Sequence, residues 1–219
     1  MNGTVAITMA GMGSRFAKAG FERPKYEIPA LDRPLFDWSM LSLDSLRQAG
    51  WKFCFATRTE FDATGWIAAR CDRLAIDVHH VLELDSSTDG QATTALLMAQ
   101  LAQPDQPFAV WNIDTFVAPD ALRLPSSEAC AGWIPCFPGP GDGWSFARVD
   151  NHGNVTEVRE KERISPHATV GFYWFDSAAR YLSAYERWYG VEGREVRGER
   201  YIAPIYNGLI EDSERVLMA

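Results

Sequence analysis

The sequence predicts an α/β fold: a mostly parallel central sheet with helices on both faces and an added hairpin in the second half. Three observations predict it. Short apolar, partly β-branched runs alternate with helix-periodic stretches through the first 130 residues or so. Turn signals rich in glycine and proline separate them. From Cys130 onward the pattern changes to closely spaced strands around turn chemistry.

Taken in order, residues 5–9 form a short apolar run and read as a buried strand. It breaks into Ala10-Gly11-Met12-Gly13-Ser14-Arg15, followed by Pro24-Lys25. A strand ending in a Gly-x-Gly loop offers backbone N–H groups at the sheet edge where open α/β sheets bind ligands. Such amides suit phosphate oxygens, and Arg15 and Lys25 add two cations. A tight turn needing glycine is the plain alternative. The third glycine of a dinucleotide fingerprint and the Gly-Lys-Ser/Thr of a P-loop are both missing.

Residues 35–46 carry apolar side chains at three- and four-residue spacing and predict one amphipathic helix ending before Gly50. Residues 52–56 predict a second strand, 61–70 a helix, and 76–82 a third strand. A helix should follow Gly90 to about residue 101, and 107–112 predict a fourth strand. Residues 133–137 read as strand and 138–143 as a turn-rich loop. Residues 144–149 and 155–158 read as a hairpin about Asp150–Asn154. Residues 170–175 read as a strand, with Asp176 as N-cap of the next helix. No linker or repeat divides the chain, so 1–219 reads as one domain, with halves at 1–129 and 130–219 where the strand pattern changes.

Length and composition bound the function. With 219 residues and 47% apolar content the chain can bury a large core. It has no apolar run long enough to span a membrane and no leader-like start. The net charge of −8 argues against nucleic-acid binding, which needs a basic stripe, yet suits a nucleotide carried with a divalent cation. Cys54, Cys71, Cys130 and Cys136 lack metal spacing and read as reduced, which points to the cytoplasm. His79, His80, His152 and His167 form no ligand-like grouping. The aromatic surplus reads as core, with Trp188 and Tyr189 leaving room for a homo-oligomer face.

Three further motifs carry chemistry. Asn112-Ile113-Asp114 ends the fourth strand, so Asp114 should project from the same edge as the glycine loop, where Mg²⁺ would bridge phosphates. An aspartate there can also serve a turn. In Thr88-Asp89-Gly90-Gln91, Gly90 would let a base approach the backbone while Gln91 reads its edge. The alternative is a helix start capped by Thr88 or Asp89. Glu160-Lys161, which read plainly as a solvated pair, precede Val170-Gly171, where glycine again admits a ligand.

With these elements in this order, and with residues 199–207 (Glu-Arg-Tyr-Ile-Ala-Pro-Ile-Tyr-Asn), the chain resembles the sugar-phosphate nucleotidyltransferase, or sugar-nucleotide pyrophosphorylase, family. The resemblance covers nearly all of the sequence. It implies a Rossmann-like (GT-A-like) fold and transfer of NMP from an NTP to a phosphorylated acceptor, with release of pyrophosphate. It also implies Mg²⁺ as cofactor and a place in sugar-nucleotide biosynthesis, as for capsule or surface polysaccharide. Carried over, Arg15, Lys25 and Asp114 are catalytic, and Asp114 holds the metal. Ala10, Gly11, Met12, Gly13, Ser14, Thr88, Gly90, Gln91 and Asn112 bind the nucleotide, while Ser145, Glu160, Lys161, Gly171, Glu199 and Asn207 line the acceptor pocket.

Three departures from the family pattern stand out. Trp144-Ser145 replaces a Tyr-Gly step, Glu162 replaces a proline after Lys161, and the sequence stops at Ala219 where a closing segment with a second metal ligand would begin. Two other readings remain open at this point: a glycosyltransferase of the same fold, with Asn112-Ile113-Asp114 as its metal motif, and a nucleotide-binding protein without catalysis.

Overall fold

The computed structural model describes residues 2–11, 13, 16, 18–125 and 130–219. Strand β1 (Thr4–Thr8) opens the chain. A 3₁₀ turn at Lys25–Glu27 follows, then a tiny hairpin, β2 (Pro29–Ala30) and β3 (Arg33–Pro34), and helices α1 (Leu35–Leu41) and α2 (Asp44–Gln48). Next come β4 (Lys52–Arg58), α3 (Thr64–Leu74), β5 (Val78–Leu84), α4 (Gln91–Ala99) and β6 (Phe108–Asn112). The second half holds β7 (Gly132–Ile134), β8 (Cys136–Pro138), β9 (Ser145–Val149), β10 (Val155–Glu160), β11 (His167–Thr169) and β12 (Phe172–Phe175). It ends with α5 (Ala178–Tyr189), α6 (Tyr206–Glu211) and β13 (Val216–Met218).

Among the described residues the main sheet has seven strands in the order β13-β7-β12-β6-β1-β4-β5. The neighbours of β1 and β4 are parallel, and β12 runs antiparallel between β6 and β7. The mostly parallel sheet expected from the sequence is therefore present. Its central strands alternate: Ala6, Cys54, Phe108, Val110, Tyr173 and Phe175 face α4, α5 and α6. Val5, Ile7, Phe53, Phe55, Ala109, Trp111, Phe172 and Trp174 face α1, α2 and α3. Helices thus cover both faces, and each fully buried aromatic stabilises the fold by about 2–3 kcal/mol.

A smaller antiparallel sheet, β10-β9-β11-β8, stands beside the first. The expected hairpin is its β9–β10 pair, and its turn closes as Asp150 Oδ1 accepts from His152 N at 2.8 Å and Asn154 N at 2.9 Å.

Several sequence expectations change. Residues 35–46 make two helices, because the chain turns at Ser42, whose buried Oγ accepts from Val117 N at 3.0 Å. Residues 133–137 are split between two sheets at Pro135, which has no N–H to give to a ladder. Ser177, not Asp176, caps α5, its hydroxyl accepting from Arg180 N at 3.1 Å, while Asp176 pairs with Arg180. At the end of that helix Tyr189 is buried, and Trp188 lies beneath the Arg194 guanidinium at 3.9 Å. No helix among the described residues is long and apolar enough to cross a membrane.

Candidate active site

The carboxyl ends of β1 and β6 and the start of α4 converge on a cleft of about 610 Å³. Thr8, Ala10, Gly11, Gly13, Lys25, Ser87, Thr88, Gly90, Gln91, Thr94, Asn112, Asp114 and Glu199 line it. A second cavity of about 180 Å³ adjoins it, and Gln91 and Asn112 line both.

Lys25 reaches the cleft because its turn is pinned from both sides. Pro24 holds φ at −51° ahead of it, and Tyr26 behind it is buried with its hydroxyl 3.3 Å from Thr57 Oγ1. Burial pushes the Tyr26 phenol up to about 12, so it stays protonated and bonded. Lys25 Nζ lies 2.8 Å from Asp114 Oδ2, with the lysine side chain 19% exposed and the aspartate 49%. Asp114 lines the cleft from the turn that ends β6, where Thr115 N donates to Asn112 O at 3.1 Å and Ile113 is buried.

The floor is a polar chain across three elements. Gln91 Nε2 donates to Thr8 Oγ1 at 2.7 Å and also to Asn112 Oδ1. Gly171 closes against Asn112: its φ is +87°, and a Cβ there would sit 2.6 Å from Asn112 Nδ2. Gly90, at φ +151°, is the residue ahead of α4, and a Cβ on it would overlap the Arg200 backbone. Neither Thr88 nor Asp89 caps that helix. The Thr88 hydroxyl donates instead to Gly90 O at 2.8 Å.

The second cavity is lined by Trp144, Ser145, Glu160, Thr169, Gly171, Tyr173, Tyr201 and their neighbours. Ser145 and Glu160 stand opposite each other in the β9–β10 register, and the serine hydroxyl donates to the carboxylate. The Glu160 side chain is only 6% exposed. Burial holds its carboxyl above the ordinary range, opposed by the Ser145 hydroxyl and the Lys161 cation. Tyr173 is fully buried with its phenol pushed up to about 12, and it shares a 3.0 Å bond with Thr169. Lys161 has φ +55°. Its Nζ donates to Tyr201 O–H and lies 4.4 Å from the centre of that ring.

The structure therefore gathers Ala10, Gly11, Gly13, Lys25, Thr88, Gly90, Gln91, Asn112 and Asp114 in one cleft, and Ser145, Glu160 and Gly171 in the next. Met12, Ser14 and Arg15 lie outside the described residues. Glu199, expected on the acceptor side, lines the first cleft, because the chain reverses at Arg197-Gly198 and returns over Gly90. Lys161 stands behind Tyr201 and is not among the lining residues of either cavity. Asn207 is also absent from both linings: it clamps β10 through Val158 N at 2.9 Å and Val158 O at 2.8 Å. Sequence reasoning missed Thr8, Ser87, Thr94, Tyr173 and Tyr201. Of these, Thr8 at a strand end beside the glycine loop carried a usable signal.

Among the described residues no three His, Cys, Asp or Glu side chains cluster as a protein-only metal cage. Mg²⁺ does not need one: it is commonly held by one or two carboxylates together with substrate phosphates and water. The half-exposed Asp114 carboxylate, in the cleft lining beside Lys25, fits that donor set.

No protein-family model and no curated protein matches the chain. Solved structures do. The nucleoside-diphosphate-sugar pyrophosphorylase from Vibrio cholerae RC9 is 34% identical with a TM-score of 0.89, over 98% of this chain and 90% of that one. The inositol-1-phosphate CTP transferase from T. maritima is 13% identical with a TM-score of 0.75, over 98% of this chain and 84% of its own. A UDP-glucose pyrophosphorylase complexed with UDP-glucose is 15% identical with a TM-score of 0.72, over 100% and 91%. The last two share the fold, whereas the first shares sequence along almost its full length. On that identity and coverage the chain belongs to the nucleoside-diphosphate-sugar pyrophosphorylase family of nucleotidyltransferases.

Proposed function

We propose that the protein transfers NMP from an NTP to a small phosphorylated acceptor and releases pyrophosphate. The observation that carries this reading is the pair of adjoining cavities with Gln91 and Asn112 in both linings. Two substrates set on either side of one wall can meet at the α-phosphorus. The family relationship favours this over a glycosyltransferase, which would consume a finished nucleotide sugar.

In this reading residues 1–129 supply the nucleotide half and 130–219 the acceptor half. Lys25 meets the α-phosphate, and Arg15 and the Gly11–Gly13 amides meet the outer phosphates. Gly90, in the lining of the first cleft, lies under the base. Ser145 and Glu160 take hydroxyl or amine donors of the acceptor, with Lys161 held by Tyr201 behind them. The acceptor phosphate attacks in line, so no protein nucleophile is needed and the residues act by orientation and charge. Asp114 would hold Mg²⁺. When bound, that ion neutralises charge on the phosphate oxygens. We also place the enzyme in the cytoplasm, on the sequence reading that its four cysteines lack disulfide density and metal spacing.

The test is a screen of the four NTPs against phosphosugars, phosphonates and phosphorylated polyol or amino compounds, read by pyrophosphate release. The expected result is release that requires one NTP, one acceptor and a divalent cation together. Release of NDP from a nucleotide sugar would instead identify a glycosyltransferase, and tight MgNTP binding without turnover a non-catalytic binder.

A further inference from the structure

We propose that Arg200 is a positioning residue that locks the nucleotide wall and the acceptor wall into one unit. The proposal rests on the reading of the two cavities given above and extends it to a side chain that lines neither.

The segment from Val196 to Ile202 crosses the start of α4. Its turn has positive φ at both Arg197 (+54°) and Gly198 (+78°), as a two-residue hairpin turn requires. Val196 and Glu199 bond both ways across it at 3.0 and 3.1 Å. Beyond the turn, Glu199 enters the lining of the first cavity, while Tyr201 and Ile202 enter that of the second. Arg200 is the residue between them, so whatever fixes it fixes both linings.

It is fixed by backbone and side chain at once. Arg200 N donates to Asp89 O, and Arg200 O accepts from Ala92 N, both at 2.9 Å. The two bonds straddle Gly90, which explains why that position has no room for a Cβ. The guanidinium meets Asp89 and Glu195, each at 3.2 Å, donates to Tyr185 Oη at 2.9 Å, and lies 5.3 Å from the centre of the Tyr189 ring. Tyr185 Oη is also 2.8 Å from Thr93 Oγ1, and Tyr189 O–H donates to Tyr201 O at 2.7 Å. One planar fork therefore ties the loop before α4, the returning segment and α5 together. An ammonium group, compact and without that fork, cannot span the same partners.

Steady-state pyrophosphate release by the full chain, with the substrate pair the wild type uses, tests this in Arg200→Gln and Arg200→Lys beside thermal unfolding. Arg200→Gln is expected to raise KM for the NTP and for the acceptor together, each by about tenfold, with a smaller fall in kcat. Arg200→Lys should show the same paired change at reduced size. A purely structural role would lower Tm and the active fraction while leaving both KM values within twofold of wild type, and that result would overturn the proposal. So would a rise confined to the NTP, which would reduce Arg200 to a local support for Asp89, or full rescue by lysine, which would show that charge alone suffices. A wild type that releases no pyrophosphate with any pair removes the reading beneath it instead, so the two failures are distinguishable.

Discussion

Lys25 Nζ and Asp114 Oδ2, 89 residues apart in the chain, meet at 2.8 Å in the lining of the larger cavity. A cation and an anion this exposed stabilise a fold by well under about 1 kcal/mol, so stability gives little reason for the pair. Placement over a polyphosphate site gives a better one.

Lys25→Met and Asp114→Ala should each cut kcat by about 10²–10³, the usual loss when one charge-stabilising group is removed. Their melting temperatures should stay close to wild type. Pyrophosphate release and a thermal melt on the same preparations check both halves of the statement. A variant that turns over at the normal rate would exclude its residue from the chemistry.

Gly90→Ala should destabilise the protein by about 1–3 kcal/mol, since the new methyl meets the Arg200 backbone at a φ that L-residues avoid. The surviving folded fraction should also bind NTP more weakly. Denaturant unfolding measures the first effect and the KM for NTP the second; an unchanged midpoint would show that the returning segment yields freely.

Glu160 makes stability and acceptor binding depend on pH in opposite directions. Its folded pKa lies above the ordinary glutamate value of 4.5, so the fold holds this proton more tightly than the unfolded chain does. The contribution is fully present below 4.5 and is lost as pH rises through the raised value. Glu160→Gln, neutral throughout, should therefore melt higher than wild type at neutral pH, with the gap closing toward acid. In the same window, KM for the acceptor should climb in the wild type as pH falls and the carboxylate is lost. A flat KM profile in the wild type would count against a charged Glu160 at the acceptor.

Asp37 and Arg70 form a mostly buried ion pair between α1 and α3, remote from both cavities. Arg70→Met leaves an unpaired buried carboxylate and should cost roughly 2–4 kcal/mol, with kcat per folded molecule unchanged. The double change with Asp37→Leu should recover much of that loss. Additive losses in the double-mutant cycle would contradict the coupling.

Local chemistry made part of this molecule legible. The glycine loop, Lys25 after its proline and Asp114 after its strand all depend on neighbours a few residues away, and each described one lies in the first cleft. Gly171 was legible for the same reason, as a glycine at the start of a strand. Glu199 was misplaced because its position depends on how Arg200, just beyond the Arg197-Gly198 turn, docks on Asp89 and Ala92, more than a hundred residues earlier. Tyr201 carried no periodic signal, and its place in the second cavity, in front of Lys161, arises only in the tertiary fold. β13 and β11 are three-residue strands, too short to show alternation before their partners are known.

The insertion of β12 between β6 and β7 has a consequence for recombination. A cut between the two halves near residue 130 would leave Phe172–Phe175 pairing in register with Phe108–Trp111 across the seam. Grafting a foreign acceptor cassette must then preserve that ladder and the aromatic packing of Trp111 on Phe172. Exchange of the hairpin β9–β10 alone leaves that ladder in place and offers the gentler route to new acceptors, provided the graft keeps the bridge from Asn154 to Leu217, the bond from Met218 N to Gly153 O at 3.2 Å and the Asn207 clamp on Val158.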